Sequence, residues 1–433
     1  MAENTREIVL DLLLTLEREN IFSHKLIKAV LDKYDYLEGR EKSFIKRLAE
    51  GTIERRLELD YYLDHFSTVP VNKMKPLIRC LMRMSTYQLL YMDGVPDSAV
   101  CNEAVKLAEK RKFRNLKGFV NGVLRTIAAN KASLPLPDPK TQPMEYLSVK
   151  YSMPLWLVRT WCGQYGRERT EQMLSAMLAV HPVSIRFRTD MAQDERDRCI
   201  EKLREAGVSI TKSTVLPYVY TISDTDNLAL LPGYAEGFFT VQDVSSALAV
   251  EAAGIQAGDF VVDLCAAPGG KSMLAAEKVT ASGKVLARDV SREKQALLED
   301  NAKRFGLSQM EVQLFDACET DENLLGRADV VLADVPCSGL GVMGKKRDIK
   351  YHVNPEGMES LIILQRKILE NSWRYVRKGG TLLYSTCTIN PRENEETVQW
   401  ITEQFPFVCR EKRQFLPGVD DCDGFFYARL ERI

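Results

Sequence analysis

Residues 261–272 read Val261-Val262-Asp263-Leu264-Cys265-Ala266-Ala267-Pro268-Gly269-Gly270-Lys271-Ser272. An apolar run of strand length breaks into small residues, which lead into a segment of helical character. Ligands of open α/β sheets bind where such strands end, and small residues let backbone come close to a bound molecule. The spacing is neither Gly-x-Gly-x-x-Gly nor Gly-x-x-x-x-Gly-Lys-Ser/Thr, the two patterns that cradle phosphates. A nucleoside-type ligand without a phosphate chain fits the loop better.

Outward from this loop, short apolar runs at 260–264, 284–287, 312–315, 330–333 and 381–384 alternate with helix-length segments. That alternation predicts a parallel sheet covered by helices on both faces. Acids close three of the strands. Asp289 is placed to take ribose hydroxyls, Asp316 to face a base edge, and Asp334 begins Asp334-Val335-Pro336-Cys337-Ser338-Gly339. The alternative for each acid is a turn or a cap. A further strand ends in Tyr384-Ser385-Thr386-Cys387-Thr388-Ile389-Asn390-Pro391. Either cysteine alone reads as a small half-buried residue, but two at the carboxyl ends of strands in one sheet are expected to converge on the same cleft.

The chain has 433 residues, enough for roughly three domains. Lys plus Arg number 59 against 60 Asp plus Glu, for a net charge of -1, which excludes a uniformly basic protein that coats nucleic acid. Residues 1–135 carry amphipathic stripes such as Ile8, Leu12, Leu13, Leu16 and Leu77, Leu81, Met84, Leu89, Leu90, which predict an all-α bundle. Pro135, Pro137, Pro139 and Pro143 mark a linker over 132–143. Residues 144–236 suggest a small α+β module, with helices over 155–180 and 194–206 and strands over 183–187 and 216–222. Residues 237–433 form the α/β domain. No stretch approaches the roughly 18 apolar residues of a membrane span, and no secretion signal is visible, so a cytoplasmic protein is expected. Ten scattered cysteines without a Cys-x-x-Cys pair, and four distant histidines, predict no metal site. Lys110, Arg111, Lys112, Arg114, Lys117 and Arg125 form the best candidate for phosphate contact, with a solvated helix face as the alternative. The charged run 345–350 reads equally as a solvated face or an RNA contact.

The loop and the two cysteine motifs resemble those of the RNA cytosine carbon-5 methyltransferases, in which a Pro-Cys and a Thr-Cys motif lie beside a Cys-Ala-Ala-Pro-Gly-Gly-Lys loop that binds S-adenosylmethionine. The resemblance covers 237–433 and implies a Rossmann-like methyltransferase domain. Residues 1–135 resemble a NusB-like RNA-binding domain through Tyr87-Gln88-Leu89-Leu90, Asn102-Glu103-Ala104-Val105 and Gly118-Phe119-Val120-Asn121-Gly122-Val123-Leu124-Arg125. The combination is similar to the RsmB-like bacterial small-subunit ribosomal RNA methyltransferases, with 144–236 as an RNA-recognition or linker module.

By this resemblance Cys387 is the nucleophile that adds to carbon 6 of cytosine, making carbon 5 a methyl acceptor, and Cys337 assists release. It implies cofactor contacts from Cys265, Ala266, Ala267, Pro268, Gly269, Gly270, Lys271, Asp289, Asp316 and Asp334. Asp334 is also placed to support charge changes at the cytosine ring. Lys271 either favours the thiolate by its charge or pairs with a carboxylate. The target base must be unpaired or flipped out. Relatives more often carry Arg-x-Pro-Asp where this chain has the 345–350 run. Rival readings are a DNA cytosine methyltransferase that uses the Pro-Cys thiol, a non-catalytic RNA-binding factor, and an NAD-dependent enzyme, which lacks the glycine spacing.

Overall fold

The stripe Ile8, Leu12, Leu13 is buried on the helix Thr5–Arg18, whose Asn4 side chain caps it by accepting from the Arg6 N–H at 3.0 Å. The computed structural model describes residues 4–19, 21–179, 182–225 and 227–433. They divide into two compact units, Met1–Ala179 with Met343–His352, and Val180–Val342 with Val353–Ile433.

In the first unit, helices Thr5–Arg18, Gly39–Glu54, Pro76–Tyr91, Asp97–Lys110 and Lys117–Asn130 bury their apolar faces in one core. Residues 131–142 lack regular structure, as the prolines predict, yet the unit continues through them. The helix expected over 155–180 is two helices, Leu155–Tyr165 and Arg167–Leu178. Gly166 breaks it with a φ of 79°, a conformation that favours glycine, and Val180 lies outside the described residues.

Ten residues from much further along the chain complete this unit. Arg347 pairs with Glu54 at 2.7 Å, and the buried Lys350 ammonium donates to the Glu54 carbonyl at 2.7 Å. Buried Asp348 accepts from the Ser23 N–H, while the Arg56 guanidinium lies 3.6 Å from the centre of the Tyr351 ring. Burial pulls Lys350 down to about 7. Only Lys345 and Lys346 of the 345–350 run are exposed, so the reading as a solvated face or RNA contact fails for Asp348, Ile349 and Lys350, whose partners are protein groups or apolar core.

The second unit begins with an antiparallel sheet of β1 (Val183–Phe187), β2 (Ser209–Lys212), β3 (Val219–Ser223) and β4 (Phe239–Val241), in the order β2-β3-β1-β4. Helix Gln193–Glu205 packs Cys199, Ile200 and Leu203 with Ile185, Phe187 and Ile222 of this sheet. A seven-stranded sheet follows: β5 (Phe260–Asp263), β6 (Lys284–Asp289), β7 (Met310–Leu314), β8 (Ala328–Asp334), β9 (Val376–Thr386), β10 (Phe407–Phe415) and β11 (Phe425–Arg432). Its order is β10-β11-β9-β8-β5-β6-β7, parallel from β9 to β7 and antiparallel where β11 joins β9 and β10.

Alternate residues of the central strands enter two apolar layers. Val261, Val330, Leu332 and Leu383 pack on one face with helices Val244–Ala252, Gly270–Val279 and Arg292–Phe305. Val262, Val331, Ala333 and Leu382 pack on the other with helices Pro355–Ser372 and Glu395–Gln404. Both faces are covered, which is why these strands read as continuous apolar runs. Among the described residues no helix is long and apolar enough to cross a membrane.

A buried ion pair joins the small sheet to the large one. Arg186 of β1 donates to both oxygens of Glu277, on helix Gly270–Val279, at 2.8 Å and to Gln242 at 2.6 Å. The Thr189 N–H and hydroxyl also donate to Glu277. Arg186→Ala strands a buried carboxylate and is expected to lower unfolding stability by about 3–5 kcal/mol in urea titration. The double replacement Arg186→Met, Glu277→Leu is expected to recover much of that loss.

Candidate active site

The order of the large sheet reverses at β5: β6 and β7 extend the sheet on one side of it, and β8 returns to extend it on the other. Crevices form beyond the carboxyl ends of strands at such a point. After β5 the chain turns tightly: the Ala266 N–H donates to the Arg288 carbonyl at 2.8 Å, and the Gly269 N–H donates back to Ala266 at 2.8 Å. Gly269 adopts a φ of 110°, and a Cβ there would sit 3.0 Å from Leu298, so only glycine fits the turn. Asn301 Nδ2 donates to the Pro268 carbonyl at 3.0 Å, and Gly270 opens the following helix.

Leu264, Cys265, Asp289, Val290, Phe315 and Asp316 line a cleft of about 100 Å³ beside this turn. Asp289 ends β6, and its bonds are long: Ala267 N–H at 3.4 Å, Ser291 N–H at 3.3 Å and Lys294 Nζ at 3.4 Å. Asp316 follows β7 and accepts from the Cys318 N–H at 2.8 Å, so it forms a local turn as well as cleft wall. Val290, beside Asp289, is 65% exposed. Burial, reinforced by the carboxylates of Asp263, Asp334 and Asp289, pushes the Cys265 thiol well up, which suits a wall residue and not a nucleophile.

Pro336 lines the same cleft, and Cys337 follows it. Strand β8 pairs with β9 so that Asp334 faces Ser385. The two loops leaving these strands bring Cys337 Sγ within 3.2 Å of Cys387 Sγ, well beyond the ~2.05 Å of a disulfide. The hydrogen bond to Cys387, then burial, raise the Cys337 thiol well above its usual range. Either sulfur can donate in this contact. Asp334 accepts from Lys271 Nζ at 2.8 Å and from the Ser385 hydroxyl at 2.8 Å. Of the two readings of Lys271, the carboxylate partner is the one observed.

The structure thus places Cys265, Asp289 and Asp316 on one cleft and Cys337 with Cys387 beside it, while Lys271 and Asp334 form a pair of their own. Sequence reasoning missed Ser338, Thr388, Gln365 and Glu393, a buried hydrogen-bonded group that joins the two thiol-bearing loops. The segment Asn390-Pro391-Arg392-Glu393-Asn394, a turn directly after the Thr-Cys motif, was the available signal. In the other unit, several basic residues of 110–125 meet acids: Lys110 and Arg111 bind Glu7, Arg111 binds Asp11, and Lys117 binds the adjoining Glu109.

An S-adenosylmethionine-dependent methyltransferase is the class that this sheet order, turn and cleft define. The residues fit that cofactor: the carboxylate of Asp289 with its slack hydrogen bonds, the second carboxylate of Asp316, an exposed apolar side chain and a glycine turn bound the cleft. The family model described as 16S rRNA methyltransferase RsmB/F matches residues 252–431, the NusB family matches 3–129, and an RsmF/B-like ferredoxin-like domain matches 153–225. The probable ribosomal RNA small subunit methyltransferase B of Bacillus subtilis (strain 168) is 31% identical over 455 residues, covering 99% of each chain. The chain belongs to the RsmB/F family of 16S ribosomal RNA methyltransferases. The ribosomal RNA small subunit methyltransferase B of Salmonella arizonae is 30% identical across 90% of each chain. The crystal structure of PH0851 matches with 26% identity and a TM-score of 0.82 over 100% of both chains.

Under the turn, Asp263 is fully buried and accepts from the Ser272 hydroxyl at 2.5 Å. Burial raises its carboxyl to about 7. The folded chain therefore holds this proton between about pH 4, where an unfolded Asp loses it, and pH 7. Stability contributed by this group falls as pH rises through that window. Asp263→Asn is expected to flatten that decline in urea midpoints measured from pH 5 to 8.

Proposed function

We propose that this chain methylates carbon 5 of a cytosine in small-subunit ribosomal RNA through a transient covalent bond to Cys387. The reading is carried by the 3.2 Å approach of the two thiols beside the cleft at the carboxyl ends of β5, β6 and β7. Carbon 5 of an intact cytosine is a poor nucleophile. Addition of the Cys387 sulfur to carbon 6 forms an S–C bond and shifts the ring π electrons toward carbon 5, while Asp334 supports a proton at the ring nitrogen. S-adenosylmethionine, held by residues 265–271, Asp289 and Asp316, supplies an electrophilic methyl group.

Release removes the carbon 5 proton, restores the ring double bond and breaks the S–C bond. Cys337, kept as a thiol, passes its proton to the departing Cys387 sulfur and takes the carbon 5 proton in exchange. One proton leaves per methyl group transferred. Lys271 acts here by orienting Asp334, to which it is bound.

In this reading residues 1–135 form the RNA-binding domain, 144–236 the recognition module and 237–433 the methyltransferase domain, working in the cytoplasm on an unpaired or flipped base. The cations of 110–125 suit phosphate contact because their present partners are exposed ion pairs, worth about 0–1 kcal/mol and readily exchanged.

Cys387→Ala is expected to abolish methyl incorporation into ribosomal RNA, and undiminished incorporation would overturn the proposal. Cys337→Ala is expected to leave a protein–RNA adduct that migrates as a retarded band on a denaturing gel. A missing band would remove Cys337 from the release step.

A further inference from the structure

Glu393 lies three residues beyond Asn390, at the end of the turn that follows the Thr-Cys motif, and is fully buried. One carboxylate oxygen accepts from the Ser338 N–H at 2.9 Å and from Gln365 Nε2 at 3.1 Å. The other accepts from the Ser338 hydroxyl at 2.5 Å and from Asn390 Nδ2 at 2.9 Å. Its carbonyl takes the Tyr384 hydroxyl at 2.5 Å. Ser338 is the residue after Cys337, and Gln365 Nε2 also reaches the carbonyl of Pro336, the residue before it, at 3.0 Å.

The second thiol is reached by proton counting. The Ser338 hydroxyl lies 2.7 Å from the Thr388 hydroxyl, and Thr388 follows Cys387. A serine hydroxyl has one proton. With that proton on Glu393, Ser338 must accept from Thr388, and the chain runs in one direction from the Thr-Cys loop through the Pro-Cys loop to the carboxylate. A buried carboxylate is tolerated only where donors meet it, so the position of both loops is fixed by the same group.

We propose that Glu393 is the positioning residue that sets Cys337 against Cys387, holding each loop by the residues that flank its thiol. The inference rests on the reading of Cys387 as nucleophile and Cys337 as release group. Glu393 does not line the cleft, so its effect falls on the thiol loops, by their geometry and by the charge that helps raise the Cys337 thiol, and not on cofactor or RNA binding. A glutamine in its place keeps the volume but turns one acceptor into a donor, which breaks the one-way chain.

The test uses the full-length protein with Glu393→Gln, measuring thermal unfolding, S-adenosylmethionine affinity by calorimetry, steady-state kinetics on ribosomal RNA, and adduct on denaturing gels. Displacement of a catalytic group by a fraction of an ångström to an ångström costs up to about a hundredfold. The expected result is a kcat lowered about tenfold or more, with cofactor affinity and the KM for RNA within about twofold, and a larger share of enzyme caught as adduct than in the wild type. An unchanged kcat overturns the inference, and so does a fall of adduct and turnover together in proportion to lost folded protein. Should Glu393→Gln fail to fold, Ser338→Ala decides: it leaves the carboxylate three donors, and it is expected to lower kcat several-fold with the same rise in adduct, whereas a normal kcat overturns the inference. Full activity in Cys387→Ala would instead sink the underlying reading. An inactive Cys387→Ala beside a normal Glu393→Gln would sink this inference alone.

Discussion

The pairing of β8 with β9 is the constraint on which the site depends. After an irregularity near Ala328 the two strands keep one register from Val330 opposite Thr381 to Asp334 opposite Ser385. A slip of one residue would send every side chain of one strand to the opposite face. It would take Leu383 and Leu382 out of their separate apolar layers and also part Cys337 from Cys387. The same apolar alternation that stabilises the sheet thus holds the thiols together, and the loops beyond the strand ends need only hold a distance that the strands have already set.

The buried pair of Arg186 and Glu277 extends that rigidity to the small sheet. Glu277 sits on the helix that begins at Gly270, directly after the glycine turn, and Gln242 of the same network lies close to Gly270. A displacement of β1 is therefore felt at the base of the cofactor cleft through a charge with no solvent to fall back on. Replacing such a pair by apolar residues can preserve stability, so its retention is better understood through orientation than through strength.

Much of this was legible in the sequence where local pattern decides. The strands β5, β8 and β9 announce themselves as apolar runs because both faces of each are covered, and the small residues from Cys265 to Gly270 mark the turn. Strands β10 and β11 were not expected. In β10 the outward positions Arg410, Glu411, Lys412 and Arg413 mask the strand, as suits an edge exposed to solvent. The split at Gly166 was hidden because the residues that follow it, Arg167-Glu168-Arg169, are themselves good helix formers, so the helical pattern resumes at once. What local pattern does not reveal is a partner far along the chain. Lys271 is answered by Asp334 and Ser338 by Glu393, while Lys350 is answered by a carbonyl nearly three hundred residues earlier.

That last contact bears on how the gene can be cut. The segment 343–352 is encoded between Cys337 and β9, yet its half-buried Tyr351 packs against the helical core and its Asp348 and Lys350 bond to backbone groups there. A fragment ending at residue 179 would lack its own keystone, leaving the Ser23 N–H and the Glu54 carbonyl without the groups that now satisfy them. Excision, shuffling or fusion of the bundle as a free-standing module would need that decapeptide supplied in some other way, so recombination between the two halves is penalised by the architecture itself.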